Sequence, residues 1–245
     1  MNNMHLLPLG FQIRNVMLTI YPVVLHDDKE VVLVDCGYPY FMEKIEEQLV
    51  KIGLSLSRVT KLIITHHDHD HMGSLKEIKE AYPSIEILCS KEQEPFITGK
   101  SKSLRLIQAE NLQDTLPEKQ KEAGREFIAF ISSIEPVKDV NIVEVGEQID
   151  CCGGIEIIDT KGHMPGHISL YVREEKTLIT GDALVIENGK LCIALPQFAL
   201  NMKDAQDSVK ALLDYDIEKV ICYHGGVYDK DVRNSLLEIV SQFSL

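Results

Sequence analysis

The strongest constraint on the fold is a run of metal-binding side chains directly after a short apolar segment. Residues 61–65 are mostly apolar and predict a buried strand, and the six residues from His66 to His71 are all histidine or aspartate. A strand end followed at once by a helix start holds several side chains around one point. Neutral imidazole and carboxylate are ligands that zinc, iron and manganese accept. The run therefore predicts a metal site, and an accidental histidine-rich surface loop is the alternative.

Three later segments also place histidine or aspartate at the end of a predicted strand. His163 and His167 follow residues 155–160, Asp182 follows residues 177–181, and His224 follows residues 218–222. A lone histidine or aspartate at a strand end is usually structural. Four such positions in one chain, counting the run at residues 66–71, jointly favour one shared metal site.

The hydrophobic pattern predicts two blocks of strands and helices. Predicted strands cover residues 16–25 and 31–35 (a hairpin with its turn at Asp27-Asp28), 61–65, 85–89, 140–145, 155–160, 168–173, 177–181 and 218–222. Predicted helices cover residues 41–52, 72–82, 203–214 and 230–243. This pattern indicates the α+β class, as a four-layer αββα sandwich formed by one domain over residues 1–245.

Residues 91–138 differ from the rest of the chain because they are polar and prone to form helices. We expect them to be a helical insertion packed over the core, where they form one wall of the substrate pocket and select the substrate. The insertion carries a basic patch of Lys100, Lys102 and Arg105. Solvated side chains on a helix face are the favoured interpretation of this patch, and binding of an anionic group is the alternative.

Composition limits the partners and the compartment. The formal net charge is −13, so the chain has no overall attraction for nucleic acid, whose phosphates require clustered lysine and arginine. No apolar stretch is long enough to span a membrane. The N-terminal residues lack a signal-peptide pattern, and the six cysteines show no disulfide framework or Cys-x-x-Cys pair. We expect a cytoplasmic protein that acts on a small molecule, and its oligomeric state stays open.

The ordered set of motifs resembles the metallo-β-lactamase superfamily, and the resemblance spans about residues 16–226. The family marks are a His-x-His-x-Asp-His run, a later Gly-His-x-Pro-Gly-His, a Thr-Gly-Asp and a final strand-end histidine. This chain matches them with residues 66–71, residues 162–167, residues 180–182 and His224. Residues 32–37 (Val-Leu-Val-Asp-Cys-Gly) also resemble the family's early Asp-x-Gly turn.

The resemblance implies two divalent metal ions, with zinc as the first choice and iron or manganese as alternatives. It assigns the first metal to His66, Asp68 and His163, the second metal to Asp70, His71 and His224, and the bridging position to Asp182. Asp68 departs from the commonest pattern, which has histidine there, and a harder ligand raises the plausibility of iron and manganese. His67 and His69 would substitute as ligands if the loop were shifted by one residue, and otherwise they lie behind the ligands or face the substrate.

The resemblance also implies roles for residues beside the ligands. His167 is not a metal ligand in the family and is expected to orient its loop through a hydrogen bond. Asp35 is expected either to fix a ligand imidazole or simply to cap a strand.

The implied activity is hydrolysis of an ester, lactone or thioester by a hydroxide that bridges two metals. Asp70 is the predicted catalytic residue, which carries a proton to the leaving group. Lactonases of this family often carry tyrosine where this chain has Val185, which weakens the lactone alternative. A di-iron oxidoreductase, favoured by the carboxylate at Asp68, a phosphodiesterase of the same fold and a non-catalytic sensor are the remaining alternatives.

Overall fold

The structure is a computed structural model that describes residues 3–13, 15–194 and 196–244. Its strands are β1 (Asn3–Leu6), β2 (Leu9–Ile13), β3 (Val16–Ile20), β4 (Val23–His26), β5 (Val31–Val34), β6 (Lys61–Ile63), β7 (Glu86–Ser90), β8 (Asn141–Val143), β9 (Gln148–Ile149), β10 (Ile155–Asp159), β11 (Ile168–Val172), β12 (Thr177–Ile179), β13 (Leu184–Glu187), β14 (Lys190–Ile193), β15 (Lys219–Cys222) and β16 (Gly226–Tyr228). Its α-helices are α1 (Met42–Lys51), α2 (Leu75–Ala81), α3 (Glu94–Ile97), α4 (Leu104–Gln113), α5 (Glu118–Ser132), α6 (Met202–Ala211) and α7 (Val232–Ser241).

Most of the strands form two six-stranded sheets. The first sheet has the order β1-β4-β5-β6-β7-β8, and the second has the order β16-β15-β12-β11-β10-β9. The strands β5 to β8 run parallel to one another, so their carboxyl ends meet at one edge of the first sheet. In the second sheet β12 and β15 are also parallel. Two short hairpins, β2–β3 and β13–β14, lie outside these sheets.

Three separate hydrophobic clusters show that the molecule has four layers. The first joins α1 and α2 to one face of the first sheet, through side chains such as Ile45, Leu75 and Leu33. The second lies between the sheets, and the third joins the second sheet to α6 and α7. In β5, Val32 and Val34 face the neighbouring sheet, whereas Leu33 faces the helices. This alternation confirms the predicted αββα sandwich.

The helical insertion is present between β7 and β8. Helices α3, α4 and α5 occupy the segment that was predicted at residues 91–138. Within α5, Ile131 is buried, whereas Phe127 and Phe130 are more than one-third exposed. The apolar face of α5 is therefore only partly covered by the protein itself.

Some boundaries and elements differ from the prediction. The strand predicted at residues 16–25 is two strands, β3 and β4, which are separated by Tyr21 and Pro22. Proline lacks the N–H group that would continue a ladder of hydrogen bonds. Strands β1, β2, β9, β13, β14 and β16 were not predicted. The described residues contain no helix that is long and apolar enough to cross a membrane.

Candidate metal centre

The predicted ligands lie where strands of both sheets end, on the same side of the molecule. Residues 66–71 follow β6 of the first sheet, while His163, Asp182 and His224 follow β10, β12 and β15 of the second sheet. A hydrogen bond from Ile168 N to Thr65 O (3.2 Å) joins the two sheets beside the site. All seven predicted ligands fall into three overlapping groups whose ligand atoms lie within 4.8 Å of one another. Residues up to 158 positions apart in the sequence thus meet in one cluster.

The first group, here called the first position, contains His66, Asp68 and His163. Asp68 Oδ2 lies 3.5 Å from His66 Nε2 and 3.0 Å from His163 Nε2. All three side chains are buried. Nitrogen and oxygen atoms at these separations can bind one cation between them.

The second group, here called the second position, contains Asp70, His71 and His224. Asp70 Oδ2 lies 3.3 Å from His224 Nε2 and 4.0 Å from His71 Nε2. Asp182 reaches both positions. At the second position, its Oδ1 lies 3.2 Å from His71 Nε2 and 3.5 Å from His224 Nε2. At the first position, its Oδ2 lies 3.5 Å from His163 Nε2. Asp182 is therefore placed between the two groups, as a bridging ligand would be.

Several buried atoms of the cluster have no hydrogen-bond partner. They are His66 Nε2, His71 Nε2 and Asp182 Oδ1, among others. Although His71 Nε2 and Asp182 Oδ1 lie 3.2 Å apart, the pair lacks the geometry of a hydrogen bond. Buried polar atoms nearly always have a partner in folded proteins. The cluster therefore fits divalent cations, which these atoms would bind.

The carboxylates give the cluster a strongly negative field. Burial lowers the pKa of His66 to about 3, and the neighbouring His71 and His163 lower it further against the opposing effect of Asp68. Burial also opposes the charged form of His224, but Asp182 and Asp70 outweigh it and raise its pKa to about 10. At His71 burial is likewise outweighed, and Asp182, Asp35 and Asp70 hold the pKa well above its usual value. A field that attracts protons at the second position also attracts metal cations.

Comparison with known proteins identifies the family. A family model described as the metallo-beta-lactamase superfamily matches residues 18–224 of this chain. The chain belongs to the metallo-β-lactamase superfamily. This confirms the predicted superfamily and its metal-dependent hydrolase class.

Individual relatives agree with this assignment. The probable metallo-hydrolase YflN of Bacillus subtilis is 25% identical over 254 residues, which cover 96% of this chain and 90% of that protein. The hydroxyacylglutathione hydrolase GloC of Haemophilus influenzae is 26% identical over 163 residues, which cover 66% of this chain and 65% of that protein. The solved structure of the metallo-beta-lactamase family protein TTHA1429 of Thermus thermophilus superposes with a TM-score of 0.73 at 24% identity, covering 98% of this chain and 79% of that one. This likeness supports the fold.

Asp35 fixes the imidazole of His71 in this superfamily member. Asp35 Oδ2 lies 2.8 Å from His71 Nδ1 and accepts a hydrogen bond from Thr65 Oγ1 (2.8 Å), while Oδ1 accepts one from Thr65 N (2.8 Å). A carboxylate that accepts the Nδ1 proton leaves the Nε2 lone pair free for a metal. Asp35 therefore orients a predicted ligand in addition to capping the segment that follows the neighbouring strand β6.

We expect Asp35→Asn to weaken metal binding at the second position by about 10- to 100-fold, which is the usual effect of losing such a carboxylate partner. Asparagine suits this position because Asp35 has a left-handed backbone conformation, with φ of 60°, that asparagine tolerates. Competition with a chelating dye measures the affinity. Asp139→Asn, at an exposed aspartate, is the matched control. Equal affinity in both variants would show that Asp35 has no influence on the metal.

His167 has the positioning role that was expected of it. Its Nε2 accepts a hydrogen bond from Asp182 N (3.0 Å), and its Nδ1 lies 2.9 Å from Thr160 Oγ1. His167 is fully buried and does not belong to any of the three ligand groups. It therefore fixes the loop that carries Asp182.

His67 and His69 belong to none of the three ligand groups, although His69 Nδ1 lies 3.9 Å from Asp70 Oδ1. His67 Nδ1 lies 2.6 Å from Gln93 Oε1, and His67 Nε2 accepts a hydrogen bond from Leu104 N (3.1 Å). The ring of His69 packs against those of Tyr38, Phe127 and Phe130. His67 thus joins the insertion to the site loop, and His69 faces the cavity beside the site.

The interpretation of Arg105 as a solvated residue is wrong. Lys100 and Lys102 are exposed and form ion pairs with Glu94 and Glu110. Arg105 is only 6% exposed and forms an ion pair with Asp68. Sequence spacing gave no signal for this contact, because the pair joins residues that are 37 positions apart through the insertion.

Tyr223 is a residue beside the site that was not predicted from the sequence. Its hydroxyl donates a hydrogen bond to Asp70 O, and its ring centroid lies 3.9 Å from that of His71. The side chain is buried beneath the second position. Its place directly before His224 is the signal that could have suggested this role.

Proposed function

We propose that this chain hydrolyses an ester, thioester or lactone that carries an apolar group, at a centre of two divalent metal ions. Zinc is the first choice, with iron or manganese as alternatives. The observation that carries the proposal is the convergence of seven histidine and aspartate side chains, several with unpartnered buried atoms, at one end of a large cavity. The name of GloC, a hydroxyacylglutathione hydrolase, supports the thioester alternative.

The side chains of the cluster have separate tasks in this reaction. Bound divalent metals supply Lewis acidity and lower the pKa of water so that a nucleophile exists at neutral pH. Asp182 reaches ligand atoms of both positions and so sets their spacing. Asp70 is 7% exposed and lines the cavity, where it can hold a proton and deliver it to the leaving group. No serine or cysteine nucleophile is required.

The lining of the cavity supports a substrate that carries an apolar group. Its volume is about 840 Å³, and Asp70, Asp182 and His224 form its polar end. The rest of the lining includes many apolar side chains, among them Phe11, Leu18, Leu112, Phe127, Val185 and Phe198. Burial of apolar surface is favourable by roughly 0.8 kcal/mol per methylene. An acyl or alkyl chain would therefore bind these walls while its carbonyl group lies at the metal end.

The activity test uses metal-loaded protein and a series of acyl thioesters and aryl esters from acetyl to octanoyl. We expect turnover that chelation abolishes and zinc restores, with kcat/KM rising about four-fold per methylene, since 0.8 kcal/mol corresponds to that factor. Phosphodiesters and oxygen consumption are measured in parallel. Turnover of a phosphodiester alone, or oxygen reduction without hydrolysis, would contradict the proposal and favour the corresponding alternative.

A pair of variants links chain-length selectivity to the cavity wall. Phe127→Ala, which removes an aromatic ring from the wall, should flatten the dependence on acyl length while acetyl ester turnover persists. Val145→Ala is the control, because Val145 is an exposed apolar residue that does not line this cavity. An unchanged slope in Phe127→Ala would remove the cavity from the account of specificity.

A further inference from the structure

The guanidinium group of Arg105 lies among the ligand atoms of the first position. Arg105 Nη2 donates to Asp68 Oδ2 at 2.7 Å and lies 3.2 Å from His163 Nε2. Arg105 Nε donates to both Asp68 oxygens, at 3.1 and 3.2 Å. Two of the three ligand side chains at this position therefore already face a cation from the protein itself.

The contact with His163 uses the atom that a metal would need. Arg105 Nη2 has two hydrogens, and Asp68 Oδ2, Phe198 O and His163 Nε2 all lie within hydrogen-bonding distance of it. His163 Nε2 also lies 3.0 Å from Asp68 Oδ2. The same Nε2 atom and the same Asp68 oxygen cannot contact the guanidinium and bind a metal ion fully at once.

The other contacts of Arg105 hold it in place. Nη1 donates to Gln108 Oε1 at 2.6 Å, and Nη2 donates to Phe198 O at 3.0 Å. The side chain is only 6% exposed, so little water screens its charge. Because its donors are largely used by the protein, Arg105 is poorly placed to bind an anionic substrate group.

Within the described part of the chain, no lysine or arginine contacts the ligand atoms of the second position. Of the described residues that line the cavity, Arg105 is the one lysine or arginine. The ligand atoms Asp70 Oδ2, His71 Nε2 and His224 Nε2 approach one another and Asp182, with no contact to the guanidinium. The two halves of the centre thus differ in whether an arginine contacts their ligand atoms.

We propose that Arg105 competes with metal for the first position, so that the two positions bind metal with unequal affinity. The second position fills first, and His66, Asp68 and His163 bind their metal only when the guanidinium leaves Asp68. This inference rests on the two-metal centre of the proposed function. The helical insertion, through α4, thereby controls metal occupancy as well as lining the pocket.

The opposite role for Arg105 is also chemically reasonable and gives the opposite result. Groups that hydrogen-bond to a ligand carboxylate commonly support metal binding, and their loss weakens affinity by about 10- to 100-fold. Those partners act by orienting the ligand. Arg105 instead contacts the ligand atoms of two residues at once and carries a positive charge.

The test is zinc titration calorimetry of the full chain, together with metal analysis after dialysis against limiting zinc. Wild type should show two unequal steps and retain one zinc ion per chain at limiting metal. In Arg105→Gln the weaker step should tighten by about ten-fold or more, since a unit charge at this distance is removed, while the stronger step stays in place. Arg105→Lys keeps a charge and should retain a weak second step.

Lys102→Gln is the matched control, because Lys102 is a cation of the same insertion that pairs with Glu110 on the surface. It should leave both steps unchanged. The persistence of the stronger step in Arg105→Gln also reports that the variant has folded.

A nuclear magnetic resonance titration of the unaltered chain is a second test. The Nε–H resonance of Arg105 should move with the second equivalent of zinc and stay fixed with the first.

The possible outcomes separate the two proposals. A weaker or unchanged second step in Arg105→Gln, or an Arg105 resonance that moves with the first equivalent, would overturn the competition and leave the hydrolase proposal standing. Two equal steps in wild type would do the same. An unaltered chain that binds no zinc, iron or manganese would contradict the proposed function itself.

Discussion

Asp182→Asn is expected to reduce bound metal below two ions per chain and to lower kcat/KM by about 1000-fold, at the upper end of losses caused by removing one electrostatic group from an active site. The reason is its position: its two oxygens face ligand atoms of both halves of the centre. Asparagine keeps the size of the side chain but removes the negative charge that holds two cations close together. Metal analysis after dialysis and steady-state kinetics on the preferred acyl ester measure the two effects.

Two further variants define what this result means. His71→Ala, which removes a ligand of the second position only, should also lower occupancy below two. Asp207→Asn, at an exposed aspartate on α6 that pairs with Lys203, is the control and should change neither occupancy nor rate. Full metal occupancy in both Asp182→Asn and His71→Ala would contradict the ligand assignment.

Asp70→Asn is expected to lower kcat by about 100-fold or more for an alkyl ester, within the usual range for a group that transfers a proton in the transition state. The loss should be much smaller for a 4-nitrophenyl ester, because nitrophenolate leaves without needing a proton. Asp70 Oδ2 lies 3.3 Å from His224 Nε2, so the variant must be measured at saturating metal to separate proton transfer from metal loss. The ratio of kcat values for the two esters is the quantity to compare.

Asp68→Asn at saturating metal is the matched comparison, since Asp68 belongs to the other half of the centre and is paired with Arg105. It should slow both esters by the same factor. If Asp70→Asn also slowed both esters equally, Asp70 would be a ligand only, and the proton would come from elsewhere.

The layered fold could be predicted because its signals are local. β5 and β6 are short apolar runs, and the polar metal-binding residues that follow them mark the strand ends. The turn at Asp27 was found for the same reason, since its side chain accepts hydrogen bonds from Lys29 N and Glu30 N (2.8 Å each). The hairpin β13–β14 was missed although its turn, Asn188-Gly189 with positive φ at both residues, is a typical hairpin signal. Its strands are short and of mixed polarity, so they give no clear strand pattern.

The residue types of the candidate site could be predicted from the sequence. The ion pair between its Asp68 carboxylate and a buried arginine could not. Histidine and aspartate at strand ends carry their own chemical signature, and parallel strands bring those ends together. Arg105 carries no such signature, because an arginine on a polar helix is usually solvated. Only the packing of α4 against the site loop brings its guanidinium to Asp68. The packing of His69 against Phe127 and Phe130 likewise depends on the position of α5, which belongs to the insertion.

The central claim is that distant side chains form a paired cation site, and anomalous diffraction from crystals soaked in zinc tests it most directly. The account predicts two anomalous peaks that share Asp182 as a ligand, with the stronger peak bound by His71 and His224 and the weaker one by His66 and His163. Soaks at rising zinc concentration should fill them in that order. An anomalous map without a peak in contact with Asp182, from crystals that bind zinc elsewhere, would contradict the account.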